Sequence, residues 1–144
     1  MAKEGKEFGD IVREGMTVDS GNALERNFEL AKKMIMLTPE GKVILAHHNK
    51  LGGEDKIVLY LVGKVYAKVA GYTNEIEVPN KELLDELGMK EGSLAPWLKF
   101  LRDKGQIKQT VKNNLSYHFV PNNLIESELK RIWDKVGDKA ETNK

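Results

Sequence analysis

The sequence predicts a mainly helical α+β fold with a small β-hairpin in its second half. Most of the chain repeats apolar residues three and four positions apart, which is the spacing of one helix face. Two β-prone runs, Gln106 to Val111 and Leu115 to Val120, flank Lys112-Asn113-Asn114, and asparagine tolerates the positive φ of a tight hairpin turn. The length of 144 residues suits one domain, or a small domain with an extension.

The composition excludes several kinds of site. There is no cysteine, so disulfides and cysteine-based zinc sites are ruled out, and His47 and His48 are adjacent and do not share a helix face. We therefore expect ordinary histidines, no metal and no cofactor. No apolar run is long enough to cross a membrane and residues 1–7 do not form a secretory signal, so we expect no membrane partner and a cytoplasmic location. Abundant lysine and glutamate is compatible with a thermophilic source.

The first fifty residues are predicted to contain two segments. Residues 1–21 are polar and glycine-rich, so we expect a flexible segment with at most one short ordered piece near 8–12. Residues 22–50 are predicted to form a helical extension. Its first part, 22–37, is predicted as one helix that either packs on the domain or forms a dimer contact, because one face carries Leu24, Phe28, Ala31 and Ile35.

The boundary that follows this helix has two interpretations. Thr38 and Pro39 have the chemistry of a helix start, with a capping hydroxyl followed by proline at the first helical position. The apolar run Val43 to Ala46 is too short to distinguish a helix from a strand. Residues 54–70 then form a helix that is apolar on more than one face, and we expect another backbone to approach closely at Gly63.

Residues 80–105 predict two helices joined by a turn. Asn80 is expected to cap the first helix and Gly88 to end it. Ser93 is expected to cap the second helix, with Pro96 still in its first turn, where a missing N–H costs little. The buried stripe of this second helix is predicted to be Ala95, Leu98 and Leu101, and Gly105 is expected to end it.

This pattern of a helix, a turn, a serine-led helix, Leu-x-x-Leu, Lys-Gly-x-Ile and a hairpin resembles the winged helix-turn-helix superfamily. The resemblance covers residues 51–121 and implies that Ser93 to Lys104 is a recognition helix and 106–120 a wing. It also implies that 54–70 is the first helix of the unit, and that the alternating stretch Glu75 to Val78 adds a short strand to the sheet of the wing. Function depends on the surface residues that the fold carries.

A C-terminal helix is predicted for residues 122–137, with Gly137 ending it and 138–144 forming a polar tail. Its apolar stripe either packs on its own domain or forms a homodimer seam. The stripe consists of Leu124, Ile125, Leu129, Ile132, Trp133 and Val136.

Charge is unevenly distributed along the chain. The formal net charge is only +1, but six cations and two anions give residues 88–120 a net charge of +4. Four cations and seven anions give 54–87 a net charge of −3. A local basic face supplies phosphate attraction that the total conceals.

We therefore predict a protein that binds double-stranded DNA, as a transcriptional regulator or a DNA-maintenance factor. The expected contacts are phosphate binding by hydroxyl, backbone and cationic groups, with the tip of the hairpin reaching the minor groove or the backbone. The candidate DNA-binding residues are Ser93, Pro96, Trp97, Lys99, Phe100, Arg102, Lys104, Lys108, Lys112, Asn113 and Asn114.

The aromatic residues of this set keep an alternative open. Trp97 and Phe100 are poor at reading base edges. Either they are covered by another part of the chain or a second subunit, or they form a docking patch for a protein partner. Stacking on unpaired bases is a third use for them. Exposure of both would favour the protein partner. The chain has no nucleotide-binding glycine loop, no Gly-x-Ser-x-Gly and no His-Glu-x-x-His, so we do not expect an enzyme.

Overall fold

The computed structural model describes residues 7–16 and 20–142. Over these residues the protein is α+β and mainly helical, with two small antiparallel sheets, which confirms the predicted fold class. Short 3-10 turns lie at His48–Lys50 and Asn122–Leu124. The helices and strands, in chain order, are α1 (Phe8–Met16), α2 (Ser20–Arg26), α3 (Phe28–Ala31), β1 (Ile35–Leu37), β2 (Val43–Leu45), α4 (Gly53–Val69), β3 (Val78–Pro79), α5 (Asn80–Leu87), α6 (Glu91–Asp103), β4 (Lys108–Lys112), β5 (Leu115–Phe119) and α7 (Ile125–Thr142).

Helix α4 lies at the centre of the core. Six consecutive residues, 57–62, are fully buried, so the helix is covered on every side along this stretch. A helix that is apolar all round has to be surrounded by other elements. Its bounds agree with the predicted helix to within a residue or two, and Gly52 occupies its N-cap in an extended conformation.

The predicted helix 22–37 is wrong in its second half. The helix is interrupted at Asn27, whose side-chain amide donates to the Ala23 carbonyl oxygen at 2.8 Å, and it ends at Ala31. Strands β1 and β2 then pair antiparallel, with Ile35 opposite Leu45. Asparagine is a weak helix former, and branched side chains suit a pleated surface. The extension 22–50 is therefore a mixture of short helices and a hairpin.

The hairpin packs on α4 at Gly63, as the predicted close approach requires. A Cβ built at Gly63 would lie 2.5 Å from Val43 Cγ1 and 3.1 Å from Ile35 Cγ2. Only a residue without a side chain leaves room for the two branched side chains to lie on the helix backbone. This contact decides the short run Val43 to Ala46 in favour of a strand.

The predicted helix start at Thr38 is also wrong, because this segment is the turn of the hairpin. The Thr38 side-chain oxygen accepts a hydrogen bond from the Lys42 backbone N–H at 3.1 Å, and Gly41 has a φ of 87°. Buried Lys64 of α4 donates to the Gly41 carbonyl oxygen at 2.8 Å and to Glu82 of α5 at 3.0 Å. The lysine thus ties the turn of the hairpin to two helices.

The second sheet has the strand order β3-β5-β4. Strand β3 has only two residues, and Val78 pairs with His118 of β5. Strands β4 and β5 form the predicted hairpin, and Asn113 and Asn114 at its tip both have positive φ, 51° and 65°. The turn chemistry that the sequence predicted is confirmed.

Helices α5 and α6 occur where expected, but their caps differ from the predictions. Asn80 is the first residue of α5 and its side chain does not cap the helix, because its amide oxygen lies 2.6 Å from His118 Nε2. Gly88 ends α5 with a φ of 64°, as predicted. Helix α6 begins at Glu91, so Ser93 is not its cap and Pro96 lies inside the helix.

The buried stripe of α6 is Leu94, Leu98 and Leu101, each at most 2% exposed. Ala95, which was predicted to be buried, is exposed. Leu94 and Leu98 are four apart and Leu98 and Leu101 three apart, which is the spacing of one helix face. Leu94, the larger side chain, therefore occupies the core position in place of the neighbouring Ala95.

Both ends of the chain are more helical than predicted. Helix α1 lies within the segment 1–21 that was predicted to be flexible; residues 1–6 and 17–19 of that segment lie outside the described residues. Helix α7 continues through Gly137 to Thr142, which corrects the predicted end and the polar tail; residues 143–144 are not described. The α7 positions Ile125, Leu129 and Ile132 are fully buried, so this stripe packs on its own domain.

Candidate nucleic-acid interface

The outward face of α6 is set by its three buried leucines. Because these side chains point into the core, Pro96, Lys99, Phe100 and Asp103 are directed to solvent. Phe100 is 44% exposed, and Lys104 Nζ lies 4.7 Å from the centre of its ring. The face is therefore a mixture of cationic, acidic and apolar groups.

Trp97 belongs more to the core than to this face. It is half-buried and packs against the core, and a Cβ built at Gly53 would lie 2.5 Å from Trp97 Cη2. The indole ring thus lies on the first turn of α4 and holds α6 against it. Of the two aromatic residues that sequence analysis placed at the interface, Phe100 alone keeps a broad exposed surface.

Two of the candidate cations are held by carboxylates. Lys99 donates to Asp103 at 2.8 Å, one helical turn away. Lys112 on the hairpin donates to Glu77, and Glu75 lies 3.9 Å from the same Nζ. The hydrogen bond from Lys112 lowers the pKa of the Glu77 carboxyl, and the same bond raises the pKa of Lys112.

Other candidate cations are open to a ligand. Over the residues that the structure describes, Lys104 and Lys108 form no ion pair, and both side chains are exposed. Arg102 is half-buried. Glu75 and Glu77 before β3, which face Lys112, offset part of the positive charge that the sequence places on 88–120.

The tip of the hairpin carries both polar and apolar exposed groups. Asn113 and Asn114 are exposed at the turn, as expected for a segment that reaches a ligand. Val111 and Leu115 beside them are 61% and 57% exposed, which sequence analysis did not single out.

Ser93 is a less favourable phosphate ligand than predicted. It is the third residue of α6, is half-buried, and its backbone N–H already donates to the Lys90 carbonyl oxygen at 3.0 Å. Glu91 lies in the same first turn and contributes negative charge there. An anion at this helix end would have to use the N–H groups of Glu91 and Gly92.

His118 is a buried polar group under the interface that sequence analysis missed. It is 1% exposed, and its Nε2 faces the Asn80 amide oxygen, so Nε2 carries the hydrogen. Its Nδ1 is buried without a hydrogen-bond partner within the described residues. Burial, together with the nearby Arg102 charge, lowers the pKa of His118 to about 4. The contact between His118 and Asn80 can be found only from the pairing of β5 with β3, which places His118 opposite Val78.

A polar cleft of about 660 Å³ lies beside Phe100, between α4, α6 and α7. Asp55 accepts hydrogen bonds from Arg131 at 3.0 Å and Lys135 at 3.1 Å. Glu128 accepts from Arg131 at 2.7 Å and from the Gln106 side chain at 2.9 Å. Each buried carboxylate is neutralised by α7 cations, so the cluster joins α4, α7 and the loop before β4. No group of three metal-binding side chains occurs in the described part of the chain.

No protein-family model, no curated protein and no solved structure matches this chain. Among the described helices, none has both the length and the apolar character needed to cross a membrane.

Proposed function

We propose that this protein binds double-stranded DNA as a winged helix-turn-helix protein, acting as a transcriptional regulator or a DNA-maintenance factor. The observation that carries the proposal is the element order α4-β3-α5-α6-β4-β5 together with the sheet order β3-β5-β4. This is the arrangement that the resemblance implies, with α6 as the recognition helix and β4–β5 as the wing. As part of this proposal, the protein acts in the cytoplasm and needs no cofactor.

The charges support phosphate binding in preference to base reading. Lys104 at the end of α6 and Lys108 at the start of β4 are four residues apart and free of carboxylate partners within the described residues. Pro96 and Phe100 offer no hydrogen bond to a base edge. Binding to phosphates is largely independent of sequence. We therefore propose weak sequence preference, with Asn113 and Asn114 adding contacts from the hairpin tip.

A fluorescence-anisotropy titration with labelled random-sequence duplex DNA at several salt concentrations tests this proposal. The apparent affinity should fall log-linearly with salt, because cations on the protein release counterions from the duplex. The double variant Lys104→Ala/Lys108→Ala removes two of the proposed phosphate contacts. Its slope of log affinity against log salt concentration should be smaller in magnitude by up to about 1.8. Absence of binding even at low salt would eliminate the DNA proposal for the isolated protein.

The exposure of Phe100 favours a second candidate, a protein-docking module on the same face. An aromatic side chain that is 44% exposed beside a cleft is typical of an interface anchor. Trp97 contributes less than sequence analysis expected, because its ring lies against Gly53. Replacing Phe100 with alanine separates the two functions. DNA binding should persist with a small loss, because Lys104, whose Nζ lies 4.7 Å from the ring centre, keeps its charge. A protein complex anchored on this ring should be lost.

A further inference from the structure

The exposed apolar side chains are concentrated on the N-terminal side of the protein. In the part of the chain whose burial the structure describes, eleven large hydrophobic residues are exposed, and eight of them belong to α1, α3, the β1–β2 hairpin or the end of α4 and the turn after it. They are Phe8, Ile11, Val12, Phe28, Met36, Ile44, Val69 and Tyr72. Large exposed apolar patches mark interaction sites, and this side is remote in sequence from the proposed DNA contacts.

Part of this surface is a groove of about 520 Å³ between α2, α3, β1 and the end of α4. Leu24, Ile35 and Ala70 contribute to its apolar lining, and exposed Phe28 and Val69 also line it. The Tyr66 hydroxyl donates to the Leu24 carbonyl oxygen at 2.8 Å, so that wall is held in place, and burial raises the pKa of Tyr66 to about 12. The lining offers an apolar occupant a preformed surface.

Helix α1 carries an exposed apolar face, which is the kind of surface that an apolar groove binds. Phe8, Ile11 and Val12 are three and four positions apart and share one face of the helix. Their exposed fractions are 78%, 53% and 36%, and none of them belongs to the hydrophobic core. Each copy of the chain therefore offers one open apolar groove and one apolar helix face.

We propose that two copies form a symmetric dimer in which α1 of each copy occupies the groove of the other. An exchange of identical elements satisfies both surfaces and closes under a two-fold axis.

The contact area is sufficient for a stable dimer. An aromatic side chain buries about 150–250 Å², so the exposed parts of the three α1 side chains offer on the order of 300 Å². The facing groove loses a similar area. Two symmetric contacts would then remove on the order of 1,200 Å², above the roughly 1,000 Å² that a specific interface needs. A single contact within one copy would bury only half of this.

Sedimentation equilibrium of the full chain without DNA tests the dimer. The variants Phe8→Glu and Val69→Glu place a charge on the helix face and in the groove, and each should raise the dimer dissociation constant at least tenfold. Both side chains are mostly exposed, so folding should be retained, which circular dichroism verifies. The matched control is Leu115→Glu on the β4–β5 hairpin, which is 57% exposed and should leave the dissociation constant unchanged.

Mixing the two variants makes the test specific for exchange. A homodimer of either variant has no intact contact, because each contact would include one altered partner. In the mixture, α1 of the Val69→Glu chain meets the intact groove of the Phe8→Glu chain, so heterodimers should exceed both homodimers. A dimer that neither substitution weakens would overturn the proposal. A wild-type protein that stays monomeric at every concentration would also overturn it. If α1 of such a monomer resists proteolysis until Val69 is replaced, the groove holds the helix of its own chain.

Discussion

Two regions of the molecule pack on the same helix, one at its first turn and one past its middle, and each does so at a glycine. The β1–β2 hairpin lies on α4 at Gly63, where Val43 occupies the space of a missing side chain. Helix α6 lies on the first turn of α4 at Gly53, where the Trp97 ring occupies that space. The two attachments are alike in their chemistry, because in both an apolar side chain meets bare helix backbone.

The surfaces that these two regions leave in solvent are different. The N-terminal region leaves apolar side chains exposed, among them Phe28, Met36 and Ile44. The region from α6 through the β4–β5 hairpin leaves lysines beside exposed Phe100, Val111 and Leu115. Its Lys104 and Lys108 are free of ion pairs within the described residues. Similar packing inside the protein therefore leaves a mainly apolar surface in one region and a surface with unpaired lysines in the other.

The largest expected effect concerns His118, which links β5 to α5 through Asn80. Because the folded protein holds its pKa near 4 and the ordinary value is 6.5, the unfolded chain binds more protons between these pH values. The contribution of neutral His118 to the free energy of unfolding is therefore fully present above pH 6.5 and is lost as the pH falls through 4. The full loss approaches about 3 kcal/mol.

Urea unfolding between pH 7.5 and 4 measures this loss, with His118→Gln as the comparison, since glutamine cannot take up the proton. The variant should show a flatter pH dependence over this window. If wild type and variant lose stability in parallel, the carboxylates and not His118 are responsible.

The second effect tests the attachment of the hairpin to α4. Gly63→Ala should destabilise the protein by about 1–3 kcal/mol, although alanine is the better helix former, because the added Cβ meets Val43 and Ile35. Gly92→Ala is the matched control in α6, where a Cβ meets nothing and φ is ordinary. That variant should gain about 0.5–1 kcal/mol. Thermal unfolding of both variants measures the difference, and equal signs would refute the close contact.

The third effect compares paired and unpaired lysines on the proposed DNA face. Lys104→Ala/Lys108→Ala should weaken binding to duplex DNA at least tenfold at 0.1 M salt, by removing two phosphate contacts. Lys99→Ala/Lys112→Ala should weaken it less, because Asp103 and Glu77 hold those two side chains in the free protein. Anisotropy titrations of the two double variants make the comparison. Equal losses would mean that the ion pairs open freely on binding.

The smallest effect has the opposite sign. Glu77→Gln should release Lys112 and remove one negative charge beside the hairpin, so affinity for duplex DNA should rise about two- to threefold and the salt dependence should steepen by up to about 0.9. Thr110, which donates to Glu77 at 3.0 Å, can still donate to the glutamine oxygen. Salt titrations of this variant and wild type give the measurement. A fall in affinity would show that Glu77 positions the hairpin for binding.

The sequence predicted well where structure depends on neighbours along the chain. Helix α4 follows from its continuous apolar run, the end of α5 from Gly88, and the β4–β5 turn from two asparagines that accept positive φ. The exposed position of Lys99 on α6 follows from helix periodicity. For these elements, interactions within a few residues outweigh contacts from elsewhere.

Prediction failed where a distant contact overrides a local preference. Residues 35–37 have helical spacing in the sequence, yet they pair with β2, and Ile35 packs on Gly63. Asn80 has the chemistry of a helix cap, yet its side chain faces His118, 38 residues away. Trp97 has the spacing of a surface residue, yet the bare backbone at Gly53 covers its ring.

By itself, the sequence determined the helical character of the protein, its second hairpin and the uneven placement of its charge, because these depend on spacing, turn chemistry and residue type. The tertiary structure alone decided which charges are neutralised, which aromatic side chain stays exposed and where the apolar groove opens. Ion pairs such as Lys112–Glu77 join residues 35 positions apart. Burial likewise depends on the element that covers a side chain, and no periodicity within one segment specifies that element.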